Sequence, residues 1–305
     1  MFLSSLCRRE LKKLIFLNQR LNMDRFTKNM TAKVDKEANT YDNNVKYVNA
    51  LNDIVKYNFS LKDVINEANK KGLSKYYPHL KTCEEVEALF GSGKNRDKGM
   101  CGKILEFALF GNLPNSDPSP DLGPSGDIKT NKWEKTKKCF FRSTERIKIG
   151  SAGNTDNWSS FDHIINSDNI KQLKKYDKMR KGIIPIFERK KNTCTTLEHA
   201  LNLRLLYIAR YDLDTLNYNN VLNEDLEKIK INLKHKKASQ KGQKCLHLHT
   251  QGAGRGKNGP RALGYTPKFV TTLIAESIAR DKKMDINSIL ISKGRSLYID
   301  KSVLC

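Results

Sequence analysis

The chain of 305 residues carries 56 Lys and Arg residues against 33 Asp and Glu residues, a formal net charge of +23. Its hydrophobic fraction of 38% is too high for a disordered tail, and its composition excludes collagen, coiled-coil and low-complexity classes. No apolar stretch reaches the roughly 18 residues that a membrane-spanning helix needs. A basic excess of this size predicts a polyanionic partner, most often nucleic acid.

The segment 1–57 is polar and basic, and we predict a mostly helical extension that precedes a folded domain. An organelle presequence is the less favoured interpretation of its first thirty residues, and the apolar run there is too short for a secretory signal. The seven cysteines form no C-x-x-C pair. They predict reduced thiols and an intracellular protein.

Helical signals become clear after this segment. Ser60 has the position of an N-cap, an apolar spacing of three and four residues follows it, and Gly72 ends the pattern. Further helices are predicted at 83–90 and 100–110. The Pro/Gly-rich stretch 111–126 is typical of a loop.

The second half of the chain alternates strands with helices, which predicts an α/β fold. Strands are predicted at 127–130, 138–142, 145–149, 182–188 and 245–251. Helices are predicted at 170–181, 197–210, 222–236 and from Pro267 onward, with Thr266 as the cap of the last.

Carboxylates and a lysine occur in the order that metal-dependent phosphodiester hydrolysis requires. Glu106 lies on a predicted helix, Asp121 ends the loop, and Asp127 and Lys129 begin a strand. Since a strand alternates its faces, the last two side chains project together. Such carboxylates could share one divalent cation while the lysine approaches the attacked phosphate. Taken alone, D-x-K is a weak signal and is more often a surface ion pair.

The stretch from Asn95 to Glu106, NRDKGMCGKILE, resembles the start of the catalytic core of the MutH family. This family comprises mismatch-repair nicking endonucleases and related type II restriction enzymes that cut at GATC. Its pattern is R-D-K-G-x-x-G-x-x-L-E, then an Asp, then a carboxylate-x-Lys-Thr strand. The resemblance covers 58–280 and implies a restriction-endonuclease-like core with a central mixed sheet flanked by helices. Residues 281–305 are then a C-terminal tail.

The resemblance implies that Glu106, Asp121 and Asp127 hold one or two Mg2+ ions, for which Mn2+ could substitute, and that Lys129 is catalytic. The chain departs from the family at two points: it has Asp127 where the family usually has Glu, and the spacing from Asp121 is one residue short. These departures allow two alternatives: a weakened or altered site, and Asp117 in the place of Asp121.

DNA contacts are also implied by the resemblance. Lys98 would contact a phosphate near the scissile bond. Base-reading and backbone contacts would come from His249, Gln251, Arg255, Lys257, Arg261, Tyr265 and Lys268. Arg and Gln suit bidentate contacts to guanine and adenine. The family's final strand keeps an Arg at the position that corresponds to His249 in this chain, which leaves the recognition sequence open.

Two competing interpretations are weaker. The His247-x-His249 pair could be half of a metal site, but no third ligand follows at a suggestive spacing. The stretch GAGRGKNG is not a nucleotide-binding loop, because Gln251 and Asn258 stand where that motif needs Gly and Ser or Thr.

The sequence thus predicts an Mg2+-dependent endonuclease acting on double-stranded DNA, with a type II restriction enzyme at GATC as the favoured role. A homodimer would serve double-strand cleavage. The alternatives are a strand-nicking repair enzyme that needs a mismatch-repair partner, and a non-catalytic DNA-binding protein on a decayed nuclease scaffold.

Overall fold

The computed structural model describes residues 41–55, 59–91, 99–113, 120–135, 140–188, 196–237, 242–251, 259–294 and 296–304. They belong to one unit that begins at Tyr41. The described residues form a mixed α/β fold whose mixed central sheet is flanked by helices, which confirms the predicted class.

The α-helices of this part of the chain are, in chain order, α1 (Tyr41–Ile54), α2 (Leu61–Lys70), α3 (Cys83–Phe90), α4 (Met100–Phe110), α5 (Asp162–Ile165), α6 (Tyr176–Arg180), α7 (Leu197–Leu201), α8 (Asn219–Lys234), α9 (Pro267–Lys282), α10 (Ile286–Ile289) and α11 (Lys301–Leu304). Short 3-10 helices lie at Leu73–Lys75, Gly123–Ser125, Trp158–Phe161 and Ile170–Gln172.

The strands are β1 (Asp127–Ile128), β2 (Asn131–Lys135), β3 (Phe140–Ser143), β4 (Ile147–Asn154), β5 (Lys181–Glu188), β6 (Leu205–Asp212), β7 (Leu246–Thr250), β8 (Pro260–Tyr265), β9 (Leu290–Lys293) and β10 (Ser296–Asp300). Seven of them form one sheet, and β4, β8 and β7 form a second sheet in that order.

Strand β5 organises the larger sheet. Both β1 and β2 run parallel to it, with Asp127 opposite Gly182 and Asn131 opposite Ile186, and β6 pairs antiparallel with it. Strands β3, β10 and β9 continue the sheet beyond β2 in antiparallel pairs. The predicted buried strand 182–188 is confirmed. Its apolar run is continuous because successive side chains enter cores on opposite faces, Ile183 on one and Ile184 on the other.

Local capping signals account for the helices that the sequence predicts well. The Ser60 side chain accepts from Asp63 N, whose carboxylate accepts in return from Ser60 N, and Gly72 follows with a φ of 63°. Thr266 accepts a hydrogen bond from Phe269 N at the start of α9. These bonds satisfy backbone donors that a helix start otherwise leaves open.

Helix α1 belongs to the folded unit, so the predicted domain boundary at 57 needs correction; residues 1–40 of the predicted extension lie outside the described residues. The Tyr47 hydroxyl donates to the carbonyl of Leu109 at 2.6 Å, and Tyr47 is fully buried. The Asn52 side chain exchanges two hydrogen bonds of 2.9 Å with the backbone of Ile208. Helix α1 thus covers an edge of β6 that would otherwise leave backbone groups open.

The segment 281–305, expected to be a tail, also needs correction. Within it β9 and β10 extend the larger sheet, and Ile299, Val303 and Leu304 enter the core. Their burial ties the segment to α9, so its removal would expose apolar surface.

The predicted helix 197–210 is wrong beyond its first turn. Helix α7 ends at Leu201, and the run from Leu205 to Asp212 forms β6 along the whole length of β5. The apolar run LLYIA fits both a helical and a strand pattern of buried residues. It forms a strand because one side of β5 is free to pair with it. The predicted helix 170–181 is likewise reduced to a 3-10 turn and the short α6.

Gly126 allows β1 to approach β5. Its φ is 91°, and a Cβ there would overlap the carbonyl of Lys181. We expect Gly126→Ala to lower the free energy of unfolding by about 3 kcal/mol or more, measured by urea unfolding, since backbone must move. Gly123→Ala is the control: its φ is 53° with open space around it, so only strain of about 1 kcal/mol is expected. Equal losses would contradict the close-approach argument.

No helix among the described residues is long and apolar enough to cross a membrane. Cys83 and Cys245 are free thiols, as expected. Cys101 is disulfide-bonded, so the expectation that all cysteines are reduced does not hold.

Candidate active site

The start of β1 brings Asp127 and Lys129 together. Asp127 is fully buried, and Ile128 between them enters the core on the opposite face. The Lys129 ammonium contacts the Asp127 carboxylate directly, and it also donates to the carbonyl of Ile128 at 3.0 Å. The two side chains therefore project to the same place, as predicted from the alternation of a strand.

Asp121 reaches the same place from the turn before β1. Its backbone N–H donates to Asp127 Oδ1 at 3.3 Å, while its own Oδ2 accepts from Ile128 N at 3.2 Å. Its Oδ2 lies 3.8 Å from Lys129 Nζ. These reciprocal bonds hold the turn against the strand, so both carboxylates keep a fixed relation to one ammonium group.

Glu106 approaches from the middle of α4. Burial raises the pKa of Glu106 to about 7; the Lys129 charge opposes this rise, and the negative charges of Asp121 and Asp127 add to it. The charges of Asp121, Asp127 and Lys129 all act on Glu106, so Glu106 lies within electrostatic reach of them. The structure thus brings Asp121, Asp127 and Lys129 into contact, with Glu106 nearby.

The two aspartates differ in ionisation. Burial, and then hydrogen bonding to Asp127 and its charge, raise the pKa of Asp121 to about 6. Burial works against ionisation of Asp127 as well, but hydrogen bonding to Asp121 and the ammonium groups of Lys129 and Lys178 hold its pKa below the usual value. Asp127 is therefore the acid that keeps its charge, and the others become protonated more easily.

The fit of a divalent cation can be judged from these side chains. Among the described residues no group of three or more His, Cys, Asp or Glu side chains is arranged to hold a metal ion. Lys129 provides the positive charge next to Asp127 instead. The donor chemistry nonetheless fits Mg2+ or Mn2+, because carboxylate oxygens are the ligands that such ions favour.

Glu106→Gln is expected to stabilise the metal-free chain. A carboxyl whose pKa rises from 4.5 to about 7 on folding contributes most below pH 4.5 and loses that contribution as the pH rises through 7. At pH 8 the substitution should therefore raise the free energy of unfolding by about 2 kcal/mol. Thermal unfolding from pH 5 to pH 8, with the exposed Glu87→Gln as control, checks this. A Glu106→Gln chain that is no more stable than the wild type at pH 8 would contradict it.

The sequence did not single out Lys178, which also reaches Asp127. It lies on α6, its side chain is 14% exposed, and its Nζ is 3.7 Å from Asp127 Oδ1. Its signal in the sequence was the basic segment just before the buried strand β5. That segment predicted a long helix, so the position of one lysine within it could not be read.

A cleft of about 310 Å3 lies beside the acids, and four lysines line it. They are Lys129, Lys148, Lys175 and Lys178. Burial and the charge of Lys129 lower the pKa of Lys148. A polyanion placed in the cleft would relieve this repulsion between ammonium groups, so the cleft suits a chain of phosphates.

Two of the predicted DNA-binding residues lie near this cleft. The Ser151 hydroxyl, which lines it, donates to Gln251 Oε1 at 3.3 Å. The charge of Lys148 acts on His249. Gln251 and His249 thus belong to the same basic region as the lysines.

Three other predicted DNA-binding residues do not line this cleft. Arg261 is 4% exposed and Tyr265 is fully buried, with the Tyr265 hydroxyl donating to the carbonyl of Met179 at 2.7 Å. Both side chains lie on the core face of β8. The position of a residue in a sequence motif does not show which face of a strand it occupies. Lys268 is exposed and lines a different cavity of about 550 Å3 with Arg142 and Lys244.

Four residues named from the sequence lie outside the described residues. They are Lys98, Asp117, Arg255 and Lys257.

No protein-family model and no curated protein matches the chain.

Proposed function

We propose that this chain is an Mg2+-dependent DNA endonuclease with a restriction-endonuclease-like fold, as the resemblance to the MutH family implies. One observation carries the proposal: Asp127 of β1 and Lys129 just after it meet Asp121 beside a cleft lined by lysines, and their charges act on Glu106. Acids beside a cation-lined cleft are the parts that phosphodiester hydrolysis needs.

Each residue has a chemical role in this proposal. Glu106, Asp121 and Asp127 would hold the metal ion, for which Mn2+ would substitute. When bound, the ion supplies charge neutralisation at the phosphate and a more acidic water. Lys129 stabilises the negative charge that develops on the attacked phosphate, since its ammonium is already fixed beside Asp127.

The lysine cleft would bind the backbone of double-stranded DNA. Lys148 and Lys175 lie on different elements, on β4 and just before α6, so they can contact successive phosphates. His249 and Gln251 would continue this surface beyond the lysines.

The complete set of three acids and a lysine occurs once in the sequence. One chain would therefore cut one strand per binding event, and double-strand cleavage would need a homodimer or two successive nicks. A type II restriction enzyme acting at GATC is the favoured role. A strand-nicking repair enzyme, activated by a mismatch-repair partner, is the other nuclease role.

The test is incubation of the full chain with Mg2+ and plasmid DNA, prepared with and without adenine methylation at GATC. Discrete fragments from the wild type, with intact plasmid from Lys129→Ala, are expected. A difference between the two preparations supports GATC, and nicked circles alone favour the repair role.

A second candidate is a non-catalytic DNA-binding protein. The direct contact between Lys129 and Asp127 favours it, because an ammonium group already neutralises the carboxylate that would hold a metal ion. Such a protein would bind DNA with a steep salt dependence and leave plasmid intact with Mg2+ and with Mn2+.

A further inference from the structure

The second sheet presents two histidines on the face opposite its core. Strand β7 alternates: Leu246 and Leu248 are buried, while His247 and His249 are partly exposed. The register sets Lys148 of β4 and His247 of β7 opposite the same residue of β8, Gly264. Two imidazoles and an ammonium group therefore share one face of three adjacent strands.

Gly264 is what lets the His249 imidazole lie close to the sheet. A Cβ at this position would be 2.9 Å from His249 Cε1 and 2.5 Å from the carbonyl oxygen of Ile147. The two imidazole rings are nearly parallel, at 22°, with centroids 6.2 Å apart. The pair thus forms a flat platform above β8 and not two separate surface side chains.

Cations surround this pair. Arg146, just before β4, acts on both imidazoles, and Lys148 acts on His249. The charge of Asp225 of α8 acts in the opposite direction on His247. Among the described residues, the Nδ1 atoms of both histidines are buried without a hydrogen-bond partner. The platform therefore has a positive surrounding, and a phosphate can approach the imidazoles only from their exposed side.

Both imidazoles are uncharged at neutral pH. Burial, followed by the charges of Arg146 and His249, lowers the pKa of His247 to about 4. Burial and the charges of Arg146 and Lys148 lower the pKa of His249, which a backbone hydrogen bond partly offsets. The same cations that disfavour protonation would be neutralised by a bound polyanion.

The platform is continuous with the lysine cleft. Lys148 lines the cleft and also acts on His249. Ser151, another lining residue, donates to Gln251, which directly follows β7. A nucleic acid backbone that fills the cleft therefore passes next to the histidines.

We propose that His247 and His249 bind backbone phosphates of duplex DNA as imidazolium ions, so that DNA binding takes up protons at this platform. The proposal rests on the proposed nucleic-acid function but not on catalysis. Each imidazole accepts one proton from the solvent as a phosphate approaches. An N–H bond forms at the ring, an O–H bond of a hydronium ion breaks, and no other covalent bond changes. The two charges then appear only where DNA is bound.

The direction of the pH dependence follows from the signs. A phosphate raises the imidazole pKa, so the complex holds more protons than the free chain. Affinity is then highest at low pH, near the free value of about 4 for His247, and falls as the pH rises through the value in the complex. Each proton taken up changes the affinity by up to about tenfold per pH unit.

The test measures binding of a fluorescent duplex to the full chain by anisotropy, with EDTA to prevent cleavage, at constant ionic strength from pH 5.5 to 8. The variant is His247→Gln with His249→Gln, and the control is His199→Gln with His235→Gln, two exposed histidines. Glu106 also titrates near the cleft, but it is present in every chain and cancels in the comparison. We expect the slope of log affinity against pH to fall by about one or more in the variant only.

Histidine side-chain NMR provides a measurement that needs no variant. The two imidazoles, whose pKa values are lowered in the free chain, should move to higher pKa values when the duplex is added. Equal pH slopes in variant and control, or imidazole resonances that do not move, overturn the proposal while the nuclease proposal stands. An absence of DNA binding at every pH overturns both. Binding without cleavage in Mg2+ overturns only the nuclease.

Discussion

Lys129→Ala is expected to lower the rate of DNA cleavage by about 100-fold to 1000-fold. The Lys129 ammonium is the cation that contacts Asp127 and lies 3.8 Å from Asp121 Oδ2, so its loss removes the positive charge nearest the acids. The loss should appear in the rate constant of the cleavage step, measured by single-turnover cleavage of a plasmid. Affinity for DNA in EDTA should change by less than about tenfold, because the other lysines of the cleft remain.

Matched variants separate chemistry from charge. Lys171→Ala removes an exposed lysine and should leave cleavage unchanged. Lys178→Ala removes the second ammonium near Asp127 and should cost less than Lys129→Ala, because Lys129 stays in direct contact. If all three variants lost activity equally, a general loss of positive charge would explain the data and the specific role of Lys129 would be wrong.

Asp225→Ala is expected to lower the free energy of unfolding by about 4 kcal/mol. The Asp225 carboxylate is fully buried and accepts from the backbone N–H groups of Lys244, Cys245 and Leu246, at 2.6 to 3.0 Å. Each buried donor left without an acceptor costs about 1 to 3 kcal/mol. Urea unfolding followed by circular dichroism measures the loss.

The neighbouring Glu224 provides the control for this prediction. Its side chain is 56% exposed and 3.6 Å from Lys244, so Glu224→Ala should change stability by about 0.5 kcal/mol or less. Asp225→Asn keeps the shape but loses acceptor capacity, and we expect an intermediate loss. Equal stability of the Asp225→Ala and Glu224→Ala chains would show that the carboxylate does not anchor the start of β7.

Signals that act within one turn of the chain were readable from the sequence. Ser60 and Thr266 marked helix starts because a cap bonds to a backbone N–H only three residues away. The strand that alternates Asp127, Ile128 and Lys129 is equally local, and its two polar side chains do meet. The candidate site could therefore be proposed from residue order and strand geometry.

Features that depend on partners distant in the sequence could not be predicted. The run of β6 became a strand because β5 offered a free side, and α1 was joined to the unit by bonds to Leu109 and Ile208. A local pattern does not show which partner is available. Tertiary contacts therefore overrode the predicted helix 197–210 and the predicted boundary at 57.

The sequence by itself determined the class of fold, the order of the three acids and the lysine, and the basic character of the surface. Only the tertiary structure decided which side chains face one another. It brought Lys178 to Asp127, turned Tyr265 into the core, and set Lys148 beside the histidine platform. The reason is physical: residue type and spacing act along the chain, whereas burial and charge act between segments that meet only when the sheets have paired.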